Sequence, residues 1–181
     1  LSRERFDAHR MIEEAMIAAN VEAARFLQRR RIPTLYRVHD APPMNKLEDL
    51  MQFLLAQGIR IRWHEKPDPE DFAAIMNDVS ERPNKSLVQT MLLRSQSLAV
   101  YRSENEGHFG LALDAYAHFT SPIRRYPDLL VHRALKHAIH GGKKKTYIYS
   151  DEEMERLAEH CSITERRAEA VSYTHLTLPT I

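Results

Sequence analysis

Residues 115–133 read AYAHFTSPIRRYPDLLVHR, and the order of residue types in that stretch sets the reading of everything around it. Thr120-Ser121-Pro122 has the form of a helix start. A hydroxyl at the cap accepts from an orphan N–H, and proline fixes φ where its missing N–H costs nothing. The spacing predicts a helix from Pro122 to His140, stopped by Gly141-Gly142. Arg124 then falls in the first turn, where the helix dipole favours an anion over a guanidinium. An anion sharing the spot resolves the misplacement, because free N–H groups at a helix start and an arginine together suit a phosphodiester. The competing reading is a structural ion pair with Asp128 at i+4, worth only a few tenths of a kcal/mol on a surface.

Upstream, His108-Phe109-Gly110-Leu111-Ala112-Leu113 is short and apolar enough for a buried strand leading into this stretch. A first helix is expected over 5–28, with Met11, Ile12, Ala15, Ala19, Ala23 and Phe26 at helical spacing and Pro33 beyond its end. Leu35-Tyr36-Arg37-Val38 reads as a short strand closed by Asp40-Ala41-Pro42-Pro43. A second helix places Leu47, Leu50, Met51, Leu54 and Leu55 inward and ends before Gly58. Asp68-Pro69, cap then proline, opens a third helix carrying Phe72, Ile75, Met76 and Val79. A fourth is expected over about 85–100 with Leu87, Met91, Leu92 and Leu98 inward. Ser150-Asp151-Glu152-Glu153 has capping-box spacing, so a last helix starts there and is expected to run to about Ala170. The fold class is α+β, predominantly helical, in one unit.

At 181 residues, 43% of them hydrophobic and 28% charged, the chain has a globular composition and no apolar run of membrane-spanning length. The single cysteine, Cys161, excludes an internal disulfide and a cysteine-based zinc site and fits a reducing, cytoplasmic setting. A net charge of +1 argues against a non-specific, strongly basic nucleic-acid binder, so phosphate recognition has to be local. Of the basic clusters, Arg29-Arg30-Arg31 complements a helix end and Lys143-Lys144-Lys145 reads as a solvated loop. Arg124-Arg125 remains. His137 and His140 have a spacing that can bind metal but lack a third ligand nearby, so no metal-ligating residue is assigned.

His108–Leu113, Tyr116–Tyr126 (YAHFTSPIRRY) and Asp128–Arg133 resemble the signature of the ribonuclease II/ribonuclease R (RNB) family, with its bacterial ribonuclease R branch the nearer likeness. Ile12–Asn20, Tyr36–Asp40 and Gln89–Ser95 resemble the same family in the same order, so the likeness runs from about Phe6 to Ala170. It implies a hydrolytic exoribonuclease that digests single-stranded RNA processively from the 3′ end to nucleoside 5′-monophosphates, with Mg²⁺ held by clustered aspartates. By that resemblance Arg124 is catalytic, neutralising charge on the scissile phosphate, and Glu13 contacts the terminal nucleotide. Glu13 and Glu14 are adjacent on a helix, so only one of them can face a cavity. Ser121, Arg125, Tyr116 and His118 complete the RNA-binding candidates; the two rings can stack on bases or pack beneath the motif.

The family's tight aspartate run has no counterpart here, and Asp68, Asp71 and Asp151 read as cap or first-turn acids. The segment is therefore expected to be the C-terminal half of an RNB-type catalytic domain, residues 1–170, inactive by itself. Its partners would be single-stranded RNA, the rest of its own catalytic domain and flanking OB-type domains, with no membrane. Residues 171–181, VSYTHLTLPTI, lose the charge pattern of the preceding helix and read as a non-native, adapter-derived tail. The alternative function is a non-catalytic helical RNA-binding or interaction module.

Overall fold

The computed structural model describes residues 6–60 and 67–177. In chain order its elements are α1 (Asp7–Arg30), β1 (Tyr36–Val38), α2 (Met44–Ala56), α3 (Pro69–Asp78), α4 (Lys85–Ser95), β2 (Val100–Arg102), α5 (Tyr126–Ile139) and α6 (Asp151–Thr177). The α+β, mainly helical class is as expected, but the chain forms two compact units rather than one.

The first unit takes the chain up to Val38, then Val100–Asn105, then Ala115 onward. α1 ends because Arg31 turns into the left-handed region at φ 54°, its N–H bonding back to Gln28. β1 and β2 pair antiparallel, with Arg37 opposite Tyr101 and Val38 opposite Val100. One core joins Ala24 and Leu27 of α1 to Val38, Ala117 and the Val131, Ala134 and Ala138 stripe of α5. A second joins Leu35, Tyr101 and Leu130 to Met154, Ala158 and Cys161 of α6. The small residues on α1 and α5 let two helix backbones approach closely. The expected α1 stripe holds only in the second half of the helix: Ala23 is buried and Phe26 packs on the core, together with buried Asn20, Val21, Ala24 and Leu27, while Met11 and Ile12 are exposed.

α5 begins at Tyr126, not Pro122. A helix started at Pro122 would carry Pro127 in its interior, where the ring meets the carbonyl four residues back and a backbone hydrogen bond is lost. The chain instead makes a separate turn in which the Ser121 carbonyl accepts from the N–H groups of Arg124 and Arg125, and Pro127 falls in the first turn of α5. α6 starts as expected, with Ser150 and Glu153 exchanging cap hydrogen bonds of 2.8 and 3.2 Å. It runs on to Thr177 rather than stopping near Ala170, since no glycine or proline interrupts 151–178. Residues 178–181 of the expected tail lie outside the described residues.

The second unit spans His39–Ala99 and Glu106–Asp114. Its core is Leu47, Leu50 and Leu54 of α2, Phe72, Ile75 and Val79 about α3, and Val88 and Leu92 of α4. Met51, Leu55, Leu87 and Leu98, expected inward, are exposed. Of these, Leu98 follows from α4 ending at Ser95, so that the segment assigned to its last turn becomes a loop leading to β2. The expected strand over His108–Leu113 is a 3₁₀ turn at Phe109–Leu111 closed by a bridge between His108 and Leu113. His39 holds that turn. Its Nδ1 accepts from Gly110 N–H at 2.7 Å and its Nε2 donates to the Ser97 carbonyl at 2.8 Å, which together fix one neutral tautomer.

Candidate functional site

The turn that carries the two arginines is fixed by side chains reaching it from two helices. Asn20, buried in α1, accepts through Oδ1 from the N–H groups of Phe119 (3.0 Å) and Thr120 (3.3 Å). Asp128, fully buried in the first turn of α5, accepts through Oδ2 from Ser121 N–H (2.7 Å) and from Arg125 Nη2 (2.8 Å). His132 Nε2 donates to the Phe119 carbonyl at 2.9 Å, and its ring stacks on Phe119 with centroids 4.3 Å apart. Three consecutive backbone N–H groups, at 119, 120 and 121, are thus already engaged. These groups precede the helix start expected at Pro122, and their partners are an amide and a carboxylate of the protein itself.

The two adjacent arginines differ in partner and exposure. Arg125 pairs with Asp128, so the structural ion pair that is the competing reading for Arg124 is made by its neighbour. Arg124 is exposed, and the neighbouring Ile123 is fully so. A cleft of about 280 Å³ opens beside them, lined by both arginines and, among others, by Tyr101, Tyr126, Thr164 and Glu165. Extended guanidinium donors at the mouth of such a cleft suit a bidentate oxyanion.

Behind the turn, the Tyr116 hydroxyl accepts from Asn20 Nδ2 at 2.9 Å, and the Tyr116 and His118 rings meet edge to face at 5.8 Å. His118 Nδ1 shares a 2.8 Å hydrogen bond with the Tyr101 hydroxyl. Arg37 lies over the Tyr101 ring at 4.6 Å and pairs with Glu165 at 2.6 Å. Burial pushes the Tyr101 phenol up to about 12, with the Arg37 charge pulling the other way, so it stays neutral. Burial and then Glu165 push the Cys161 thiol up as well, which marks it as a core thiol rather than a nucleophile.

Of the sequence candidates, Arg124, Arg125 and Ser121 share the turn, and Tyr116 and His118 form the layer beneath it. Tyr116 is buried, which favours packing over base stacking for that ring. Glu13 is exposed on the first half of α1, on the same helix as Asn20. Asn20, Arg37, Tyr101 and Glu165 escape sequence reading, although an asparagine inside an alanine-rich helical face is a visible signal that a buried amide has backbone to satisfy. Among the described residues no three His, Cys, Asp or Glu side chains converge on a metal position. No helix among them is long and apolar enough to cross a membrane.

Residues 1–141 match the family model of the RNB domain. The chain belongs to the RNB family. It is 48% identical to ribonuclease R of Escherichia coli (strain K12) over 174 residues, covering 92% of this chain and 21% of that protein. It is 43% identical to ribonuclease R of Aquifex aeolicus (strain VF5), over 94% of this chain and 25% of the relative. The chain thus spans about a fifth to a quarter of the length of these curated relatives. Among solved structures, Mycoplasma genitalium RNase R in complex with ribose-methylated single-stranded RNA superposes with a TM-score of 0.81 at 29% identity, over 90% of this chain and 26% of that one. Yeast Ssd1, a pseudonuclease, shares the fold at a TM-score of 0.74 and 22% identity, over 87% of this chain and 20% of that one. Within the RNB domain, then, the turn 115–125 and its two helical clamps present Arg124 exposed at a cleft. RNB nucleases are hydrolases and generally metal-dependent.

Proposed function

We propose that this segment is the phosphate-recognising part of an exoribonuclease catalytic domain that degrades single-stranded RNA from the 3′ end, processively, to nucleoside 5′-monophosphates in the cytoplasm. The observation that carries the reading is the contrast between Arg124 and Arg125 at one cleft: the Arg125 guanidinium is held by buried Asp128, and Arg124 stands exposed. Arg124 would grip the non-bridging oxygens of the scissile phosphodiester and neutralise the charge that grows on them as water attacks. Ser121 lies at the base of the same turn, Glu13 on the exposed face of α1 would contact the terminal nucleotide, and His118 would support the turn from below. Arg125 serves RNA binding through its hold on the turn. The described residues do not fit a metal ion, so Mg²⁺ would be held by other residues of the full-length protein, and the chemistry assigned to this segment is recognition and charge neutralisation.

The test is mononucleotide release from a single-stranded RNA oligonucleotide by the full-length protein with Mg²⁺, compared with its Arg124→Ala variant. Turnover is expected to fall by about 10²-fold or more, the scale seen when one oxyanion-stabilising donor is removed. Unchanged turnover overturns the role of Arg124. Residues 1–181 alone are expected to release no mononucleotide, and robust release by that segment overturns the placing of the metal elsewhere.

A further inference from the structure

Asp128 is an expensive residue for the work its backbone contact requires. Its side chain has no exposed surface, its Oδ2 makes two hydrogen bonds, and its Oδ1 makes none among the described residues. Two more buried polar atoms close in sequence, Thr120 Oγ1 and Arg125 Nε, are equally unpartnered. A neutral asparagine or serine would accept the Ser121 N–H without the cost of burying a charge. What a carboxylate adds here is a charge, which holds a guanidinium more strongly than a neutral acceptor does. Arg125 is the one it holds, with 21% of its side chain exposed.

We propose that Asp128 is a positioning residue that selects which of two adjacent, chemically identical arginines meets the RNA phosphate. By withdrawing Arg125 and fixing Ser121 in one move, it leaves the Ser121–Arg125 turn a single arrangement, with Arg124 outward. The two contacts share one oxygen, so the inward pull on Arg125 and the placing of the turn cannot vary independently. Asn20 fixes the other end of the turn at Phe119 and Thr120, which leaves 122–124 as the only part not clamped by a side chain described here. The proposal rests on the reading of Arg124 as the phosphate-contacting group.

The experiment is a double-mutant cycle in the full-length protein, with rates normalised to the folded fraction. Asp128→Asn keeps the shape and the Ser121 acceptor but loses the charge. It is expected to lower kcat on single-stranded RNA by about 10-fold while KM moves by less than about 2-fold, since a blurred Arg124 loses contacts in the transition state first. In an Arg124→Ala background the same change is expected to lower kcat by less than about 2-fold, because residues acting as a unit are non-additive. Arg125→Met is expected to follow Asp128→Asn in both backgrounds, and Arg125→Lys to recover most of the rate; this pair is read alone if Asp128→Asn does not fold. Equal losses in both backgrounds make Asp128 a general structural residue and overturn the proposal. A harmless Asp128→Asn beside a crippling Arg124→Ala overturns it while leaving the role of Arg124 intact. A harmless Arg124→Ala overturns both.

Discussion

Arg37 and Glu165, 128 positions apart in the chain, meet at 2.6 Å across the small sheet and α6, with the Arg37 guanidinium also lying over the ring of Tyr101. This one pairing ties β1 to the last helix at the cleft beside Arg124, and both side chains are only partly exposed. Removing either partner leaves a half-buried charge. Glu165→Gln or Arg37→Met is expected to cost about 1–3 kcal/mol, less than a fully buried pair because both groups keep some water. Urea unfolding of the two single variants and the double variant measures it, and additive losses would show that the pair contributes no coupling.

Asn20 satisfies two backbone N–H groups and donates to the Tyr116 hydroxyl from a buried position. Asn20→Leu fills the space but leaves both backbone N–H groups without this acceptor, and the expected loss is about 2–4 kcal/mol, an unsatisfied buried group costing about 1–3 kcal/mol. Amide hydrogen exchange at residues 119 and 120 reports it directly: both should lose protection well before the core of α5 does. Retained protection at both amides would remove Asn20 from the clamp.

Arg124→Lys keeps the charge and loses the planar fork. In the full-length protein, kcat on single-stranded RNA is expected to fall by about 10-fold or more with RNA affinity little changed. Steady-state kinetics and equilibrium binding to a non-hydrolysable oligonucleotide separate the two; equal losses would mean that Arg124 supplies ground-state binding alone.

Tyr36, Tyr101 and Tyr147 have phenols pushed up to about 12, in each case chiefly by burial. Unfolded, they ionise near the ordinary value of 10, so between pH 10 and 12 the unfolded state has lost protons that the folded state keeps. Stability is therefore fully present below about pH 10 and falls as pH rises toward 12. Thermal melts across that window should show the decline, and Tyr101→Phe should flatten it. A Tm independent of pH from 9 to 12 would contradict the burial of these hydroxyls.

Gly110 lies so close to His39 that a Cβ would sit 2.9 Å from its Nδ1, the atom that accepts the Gly110 N–H. Gly110→Ala is expected to open the 3₁₀ turn and destabilise the second unit by about 1–3 kcal/mol, the ordinary cost of forcing extra bulk into a close-packed contact. Loss of exchange protection confined to the 106–114 loop and the His39 segment is the expected signature, while a wild-type melt would show that the ring yields freely.

Much of the local structure was readable in the residues themselves. The caps at Asp68 and Ser150, the strand at Tyr36–Val38 and Cys161 as a core thiol all follow from local chemistry, because caps, prolines and apolar runs act over a few residues. The errors share a cause. The start of α5 turned on whether Pro122 or Pro127 occupied the first turn, and β2 went unassigned, with Val100 placed at the end of α4, because a short strand is an ordinary apolar run until its partner is known. Likewise His108–Leu113 carries the composition of a strand, and only the hold of His39 makes it a turn.

What the sequence by itself determined is the family, the helical character and the identity of the arginine pair, since these reside in residue types and their order. What tertiary structure alone decided is which arginine is held and which stands exposed. Arg124 and Arg125 are the same residue in adjacent positions, and no periodicity distinguishes them. A buried carboxylate three residues on and an amide from a helix near the start of the chain do so, by satisfying backbone and guanidinium donors that would otherwise stay unpaired away from water.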